Sequence, residues 1–370
     1  MTEPSSRCPL LRWRDIADLT VARGFPCISV LVPTGSAPRM LDDDRHLMTA
    51  LVDHAGSELD SHALPARGWL MTELRDLAMQ VAGEPAQGSR VLYVSQAVRR
   101  SFSLPISVTP RAVVEPTFAT RDLVRALHAT PPHLILTLHP AGALLFHAQG
   151  RTMAPVASVS PTSEASEPRQ RGHPDSALQS DTFLAEVDDR LGRHRLTFPS
   201  PLVVAGPEAL LATFIQHSSH LERLAGTLDT AEFPTPADIL RGSSIALEQY
   251  LISRQHSALA LVRETLERDP RRVATGIEAA WLEGRRRPPL MLAVESGYSV
   301  PGHHSGTPLT QRDDIDIDSA PRVDDLVDDL IEVVINRRVL WSAGSRSSTT
   351  EPSVSTNASR WSPEEAGRKG

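Results

Sequence analysis

Apolar positions along the chain follow two rhythms, and their alternation sets out an architecture. The run "CISVLVPT" is rich in β-branched residues from Cys27 to Val32 and stops at Pro33, which predicts a buried strand. Behind Asp42, Asp43 and Asp44, whose charges suit a helix N-terminus, Leu47, Met48, Leu51, Val52, Ala55 and Leu59 recur at helical spacing. A second helical stripe, Leu70, Met71, Leu74, Leu77, Ala78 and Val81, ends before Gly83, and "VLYV" at 91–94 predicts the next strand.

From Pro132 the pattern changes. "HLILTLHPAGALLFHAQGRTM" predicts a hairpin, with strands at 134–138 and 143–148 joined by a turn at Pro140 to Gly142. The next segment is rich in Ser, Pro and charge and offers no core face, which predicts an exposed mobile loop over 155–180. Phe183, Leu184, Val187 and Leu191 predict a helix capped by Ser180 or Asp181; "PLVVAG" predicts a strand, and 208–221 a helix. Thr235 and Pro236 open a long helical pattern that lasts to Pro270. Beyond it come a short amphipathic helix ("GIEAAWLEGRRR"), a strand ("PLMLAVESG"), a helix ("VDDLVDDLIEVVINR") and a last strand ("RVLW"). The alternation predicts an α/β fold of α+β layers, in three small α/β domains at 1–118, 119–233 and 234–342. The residues from 343 to 370 lack apolar periodicity and are expected to be a disordered tail.

Length and charge narrow the function. A chain of 370 residues has room for two or three cores. Its net charge of −7 excludes a global basic field, so DNA is not an expected partner and any RNA contact must come from local patches. The two cysteines, Cys8 and Cys27, fit neither a zinc site nor a disulfide framework, which suggests a reducing cytoplasm. The N-terminus shows no apolar run of signal-peptide length, and no stretch of about 18 apolar residues appears, so a membrane role is not expected.

Several constellations invite a metal or cofactor and fall short of one. Asp314, Asp316 and Asp318 are spaced like the start of a calcium loop, but Ser319 replaces the turn glycine and Pro321 sits inside the loop. His303 with His304, and His217 with His220 at i, i+3 of the expected helix, have no Cys or carboxylate partner at a usual spacing. Neither a nucleophile elbow, nor a phosphate-cradling loop, nor a dinucleotide fingerprint occurs, so no cofactor is expected. Arginine clusters stand at Arg99–Arg100, Arg169–Arg171, Arg271–Arg272 and Arg285–Arg287, and those flanking predicted strand and helix ends suit phosphate contacts on a structured RNA.

The order of segments "CISVLVPT", two helices, "SRVLYVSQAV" and "HLILTLHPAGALLFHAQGRTM" resembles the archaeo-eukaryotic peptide-chain release factor and its ribosome-rescue paralogue. It is most similar to their bacterial relatives, the bacterial archaeo-eukaryotic release factor (baeRF) family, over about residues 20–342, through "PLVVAG", "LMLAVESG" and the last helix and strand. The resemblance implies a catalytic Gly-Gly-Gln tip between the middle hairpin and the following helix, where it helps water attack the ester of peptidyl-tRNA. Here "GHPDSA" falls at that place, with His173 and Pro174 at the glycines and Asp175 at the glutamine.

That departure is physically serious. Pro174 fixes φ and lacks an N–H where glycines would give freedom, and an Asp175 carboxylate is repelled by RNA phosphate where a neutral amide is not. No Asn-Ile-Lys-Ser codon-reading loop stands in the first domain. The resemblance therefore implies a translation-linked protein of rescue or hibernation under stress that binds the ribosome or tRNA without hydrolysing it, with a translation GTPase as a further candidate partner. Arg169, Arg171, Arg271, Arg272, Arg285, Arg286 and Arg287 are its candidate RNA contacts. Two alternatives stand beside it. One is a divergent peptidyl-tRNA hydrolase using His173, Asp175 or Gln179; the other is a protein-interaction scaffold that does not bind RNA.

Overall fold

The computed structural model describes residues 10–35, 39–61, 66–85, 88–160, 175–230, 235–295, 297–303, 322–323, 325–344 and 354–355. The protein is a mixed α/β chain that divides into two compact units. A terminal unit combines residues 11–128 with the described residues from 255 onward, and a middle unit comprises residues 129–254.

The terminal unit opens with α1 (Trp13–Val21), β1 (Cys27–Pro33), α2 (Asp42–Asp60), α3 (Arg67–Ala82), β2 (Ser89–Val94), β3 (Arg99–Leu104), β4 (Arg111–Glu115) and α4 (Arg121–Ala129). Its sheet has the order β3-β2-β1-β4, antiparallel throughout. The period of two along β1 and β2 sorts their side chains between two cores. Ile28, Val30, Val32, Leu92 and Val94 pack on the stripes of α2 and α3. Leu31, Val91 and Tyr93 face the opposite side, against Ile16 and Leu19 of α1 and Leu123 and Leu127 of α4. Because β1 is covered on both faces, its sequence reads as a near-continuous apolar run broken only by Ser29, whose buried hydroxyl accepts the Ala119 N–H.

The middle unit contains β5 (His133–His139), β6 (Gly142–Gln149), β7 (Thr152–Val159), α5 (Asp175–Thr197), β8 (Leu202–Gly206), α6 (Glu208–His217) and β9 (Leu224–Asp229). Its sheet order is β7-β6-β5-β8-β9; the first three strands are antiparallel, while β5, β8 and β9 run parallel. Parallel neighbours require a crossover, and α5 and α6 supply the two needed. Phe183, Leu184, Val187 and Leu191 of α5 and Leu211 and Phe214 of α6 cover Leu134, Leu136, Leu202 and Val204. Gly142 takes a φ of +150° at the start of β6, where a Cβ would stand 2.8 Å from the Val159 carbonyl. The hairpin turn therefore needs its glycine.

The long α7 (Pro236–Arg268) starts in the middle unit, and its residues from Gln255 belong to the terminal one. Thr235 and Asp238 cap its start reciprocally, each side chain accepting the other's backbone N–H at 3.3 and 3.2 Å. A 3₁₀ turn (Pro270–Arg272), α8 (Ile277–Arg286), β10 (Leu292–Ala293), β11 (Gly302–His303), β12 (Arg322–Val323), α9 (Leu326–Gly344) and β13 (Val354–Ser355) follow. Val327, Ile331 and Ile335 of α9 complete the core shared with α1 and α4, and Leu330 and Val334 pack with Trp281 of α8.

Several boundaries differ from the sequence expectation. "RVLW" is not a strand but the continuation of α9, because neither Pro nor Gly interrupts the chain before Gly344. The expected disordered tail loses its first residues to α9, and Val354–Ser355 pairs in parallel with β10. The loop expected over 155–180 is shorter at both ends. Residues 155–159 belong to β7, an edge strand that accommodates Pro155 next to a register shift, and α5 begins at Asp175 instead of at a Ser180 or Asp181 cap. The helix expected to reach Leu221 stops at His217, where Ser218 turns extended. "PLMLAVESG" contributes only the two residues of β10.

Candidate functional site

The hairpin strand β7 and the helix α5 frame the segment expected to carry the tip. Arg169, Arg171 and His173 lie outside the described residues, as do Asp314, Asp316, Asp318 and His304. Asp175 is the first residue of α5, and Gln179 follows one turn later. Both positions that the hydrolase alternative draws on after residue 174 are thus helical in backbone.

The other arginines of the sequence analysis lie in the terminal unit, on separate elements. Arg271 and Arg272 are exposed in the 3₁₀ turn after α7. Arg285 and Arg286 occupy the last turn of α8 and Arg287 is its C-cap, a position where cations offset the helix dipole. Arg286 and Arg287 share one carboxylate, Glu283, at 3.0 and 3.1 Å, so this turn keeps an excess of positive charge. Arg99 and Arg100 are committed within the unit: Arg99 pairs with Glu73 of α3 at 3.0 Å, and Arg100 with Asp18 of α1 at 3.3 Å.

A histidine–carboxylate clamp is present that sequence spacing concealed. His220 does not share a helix with His217; it stands in the turn after α6 and reaches Asp188 on α5. Asp188 accepts the Ser218 hydroxyl, the Ser219 N–H at 3.0 Å and His220 Nδ1 at 3.0 Å. Burial alone would raise the pKa of Asp188, but these donors outweigh it and hold the carboxyl below the usual carboxylate range. One turn along α5, Gly192 leaves room for the imidazole: a Cβ there would stand 2.5 Å from His220 Nε2. An imidazole oriented by a carboxylate is the form used for general-base catalysis and metal ligation. Here Nε2 lies against the backbone of α5, so the pair serves to fasten the turn to the helix. Asp188 is also thirteen residues past the start of α5. At 1.5 Å per residue that is about 20 Å, too far to act on a group held at the tip.

The terminal unit holds a second polar cluster, an acidic stripe on and before α9. Asp328 accepts the backbone N–H groups of Thr120 at 3.2 Å and Arg121 at 2.9 Å, capping α4 from outside its own sequence. Asp325 receives the Arg121 guanidinium and the Val327 N–H. Asp329 and Glu332 are buried, Asp329 accepting Thr117 Oγ1 at 3.4 Å. Glu332 keeps Oε1 without a hydrogen-bond partner and meets Arg23 only at 3.8 Å. Burial, then the neighbouring Asp328 and Asp329, pushes the Glu332 carboxyl well above the usual range. Burial and Glu332 likewise push the Cys27 thiol up to about 12, which makes it an inert core residue. Among the described residues no group of three or more His, Cys, Asp and Glu is arranged to hold a metal, and no helix is long and apolar enough to cross a membrane.

No protein-family model matches the chain, and no curated protein matches it. Solved structures align along most of its length. An archaeal translation termination factor, aRF1, aligns at 15% identity over 78% of this chain and 86% of its own, with a TM-score of 0.26. Archaeal Pelota, in a model of ribosome-bound Pelota and ABCE1, aligns at 11% identity over 94% and 89%, with a TM-score of 0.38. Pelota of Archaeoglobus fulgidus aligns at 11% identity over 96% and 89%, with a TM-score of 0.30. At TM-scores below 0.5 these alignments do not establish a common family.

Proposed function

We propose that the chain is a release-factor-like translation protein that binds the ribosome or tRNA-like RNA without hydrolysing peptidyl-tRNA, in rescue or hibernation under stress. The observation that carries the non-hydrolytic part is the pair Pro174–Asp175. At the place where the resembled family has glycine and glutamine, this chain has a residue of fixed φ followed by a carboxylate that begins a 23-residue helix. A backbone committed to a helix has lost the freedom that two glycines give a reactive tip. The carboxylate would also meet RNA phosphate unfavourably.

The binding part rests on the layout that the sequence shares with the release factors and on local arginine clusters in a chain of net charge −7. Arg169 and Arg171 beside the tip, with Arg271, Arg272, Arg285, Arg286 and Arg287, are the contacts assigned to phosphate. A translation GTPase is the further partner. Co-sedimentation of the purified chain with ribosomes across a salt series tests this reading. Association is expected to fall steeply between about 50 and 200 mM salt, and further when Arg169 and Arg171 are both replaced by Ala. Absence of association even at the lowest salt would favour the scaffold alternative.

A further inference from the structure

The C-terminal end of α5 carries a group of cations that the clamp at Asp188 does not use. Arg195, in the last turn of α5, is 9% exposed in its side chain. Its Nε lies 3.2 Å from the Glu222 carboxylate and its Nη2 donates to the Glu222 carbonyl. Its Nη1 is buried with no acceptor among the described residues. A buried guanidinium N–H without an acceptor is costly, and such groups in folded proteins call for an explanation. Burial lowers the pKa of Arg195, and the positive charge of the adjacent Arg223 lowers it further against the pull of Glu222.

Arg223 itself is unusual. Its φ of 59° is the only positive value at a described residue other than glycine, and the chain accepts it in the turn leading into β9. Its Nη1 donates to the Pro199 carbonyl at 3.0 Å. Left-handed backbone at a bulky residue is strained, and strain of this kind concentrates at ligand sites. From α7, Tyr250 lies within the electrostatic surroundings of Arg195, and Arg254, one turn on, holds its guanidinium 5.9 Å from the Tyr250 ring centroid. Arg195 and Arg223 thus lie beside one another with Glu222 as the acidic partner of Arg195, and Arg254 lies over the Tyr250 ring on α7.

We propose that Arg195 and Arg223, with Arg254 and Tyr250 of α7, form a binding site for a phosphate group, carried on an RNA strand or free. The planar forks of three arginines suit the oxygens of a phosphate, and Tyr250 offers a face on which a base can stack. The phosphate competes with Glu222 for Arg195, and it supplies the acceptor that Nη1 lacks. The proposal deepens the RNA-binding reading and rests on it for the source of the phosphate, while the anion chemistry stands on the middle unit alone.

Two variants separate binding from folding. Arg223→Gly removes the guanidinium but places the one residue that adopts the left-handed backbone freely. Arg254→Gln removes an exposed charge while keeping helix propensity. With the full chain and a fluorescent single-stranded RNA oligonucleotide at low salt, each variant is expected to bind about tenfold more weakly, the loss of one charge-assisted contact, while remaining folded by far-UV circular dichroism. Glu222→Gln is expected to tighten binding. Line broadening of inorganic phosphate in ³¹P spectra, lost in Arg223→Gly, identifies a site that takes free phosphate; broadening absent beside intact RNA binding identifies the strand as the ligand. Wild-type RNA affinity in both variants would overturn the proposal. Ribosome co-sedimentation of the same variants keeps the two claims apart: variants that pellet and bind RNA as the parent does remove the site and leave the ribosome reading, whereas tenfold weaker RNA binding in a chain that never pellets removes the ribosome reading and leaves the site.

Discussion

Asp188 in the middle unit and Glu332 in the terminal unit are both carboxylates drawn off the surface, and their environments push them in opposite directions. Asp188 has three donors and holds its charge more firmly than a free carboxylate. Glu332 has one distant arginine and an oxygen with no partner, and favours its proton. Donors alone do not set the outcome: Asp328 accepts three, yet burial and then the neighbouring Asp325 push it well above the usual range, whereas Asp188 keeps its three donors while staying partly exposed. The first carboxylate fastens a turn to a helix, whereas the second is accommodated beneath a helix whose seat is secured by its neighbours Asp325 and Asp328.

The largest test of that contrast removes the donor-rich member of the α9 stripe. Asp328→Ala strands the N–H groups of Thr120 and Arg121, both in buried residues, and is expected to cost about 3 kcal/mol of stability in denaturant unfolding. Asp328→Asn, which keeps an acceptor, is expected to lose less than half of that.

The next test uses pH, and the signs differ between the units. The folded pKa of Glu332 is raised, so its contribution is fully present below the ordinary carboxylate range and is lost as pH rises through the folded value. The folded pKa of Asp188 is lowered, so its contribution is present above that range and is lost as pH falls through the folded value. Thermal unfolding from pH 3 to 8.5 is expected to show Glu332→Gln more stable than the parent at the alkaline end, and Asp188→Asn less stable near neutrality, each on the order of 1 kcal/mol. A stability profile unchanged by Glu332→Gln across this range would break the contrast.

The smallest expected effect lies at Gly192. Alanine at a helix interior ordinarily gains about 1 kcal/mol, but here its Cβ meets the His220 ring. Displacing a ring held by Asp188 is expected to reverse the gain into a net loss of about 0.5 kcal/mol, measured in the same unfolding assay.

The sequence disclosed the elements that own an entire face. β1, β2, the β5–β6 hairpin, β8, α2 and α3 bury complete stripes or runs, so their periods are plain. It hid those that share a face or sit at an edge. β3 begins with two exposed arginines, and β4 is five residues long with an arginine and a glutamate at its ends, so neither shows a clean alternation. α4 spans only nine residues, and its N-terminal cap comes from Asp328, some two hundred positions away. "RVLW" reads as a strand from its composition and continues a helix instead, since propagation adds one bond per residue and nothing here breaks it. The acidic stripe of α9 and the Asp188–His220 pair were illegible for one reason: their partners are close in space and remote in sequence. The tip expected at 173–175 was placed by position alone, between the hairpin and α5; residues 161–174 lie outside the described residues, and Asp175 opens α5.

The central claim is a chain that engages the ribosome and leaves the nascent peptide attached. It is tested most directly by incubating the purified protein with ribosomes carrying labelled peptidyl-tRNA, pelleting them, and following protein and peptide together. The account predicts protein in the pellet at low salt, with peptide release no higher than in its absence. Free peptide released well above background, and diminished by replacing His173 or Gln179, would contradict it.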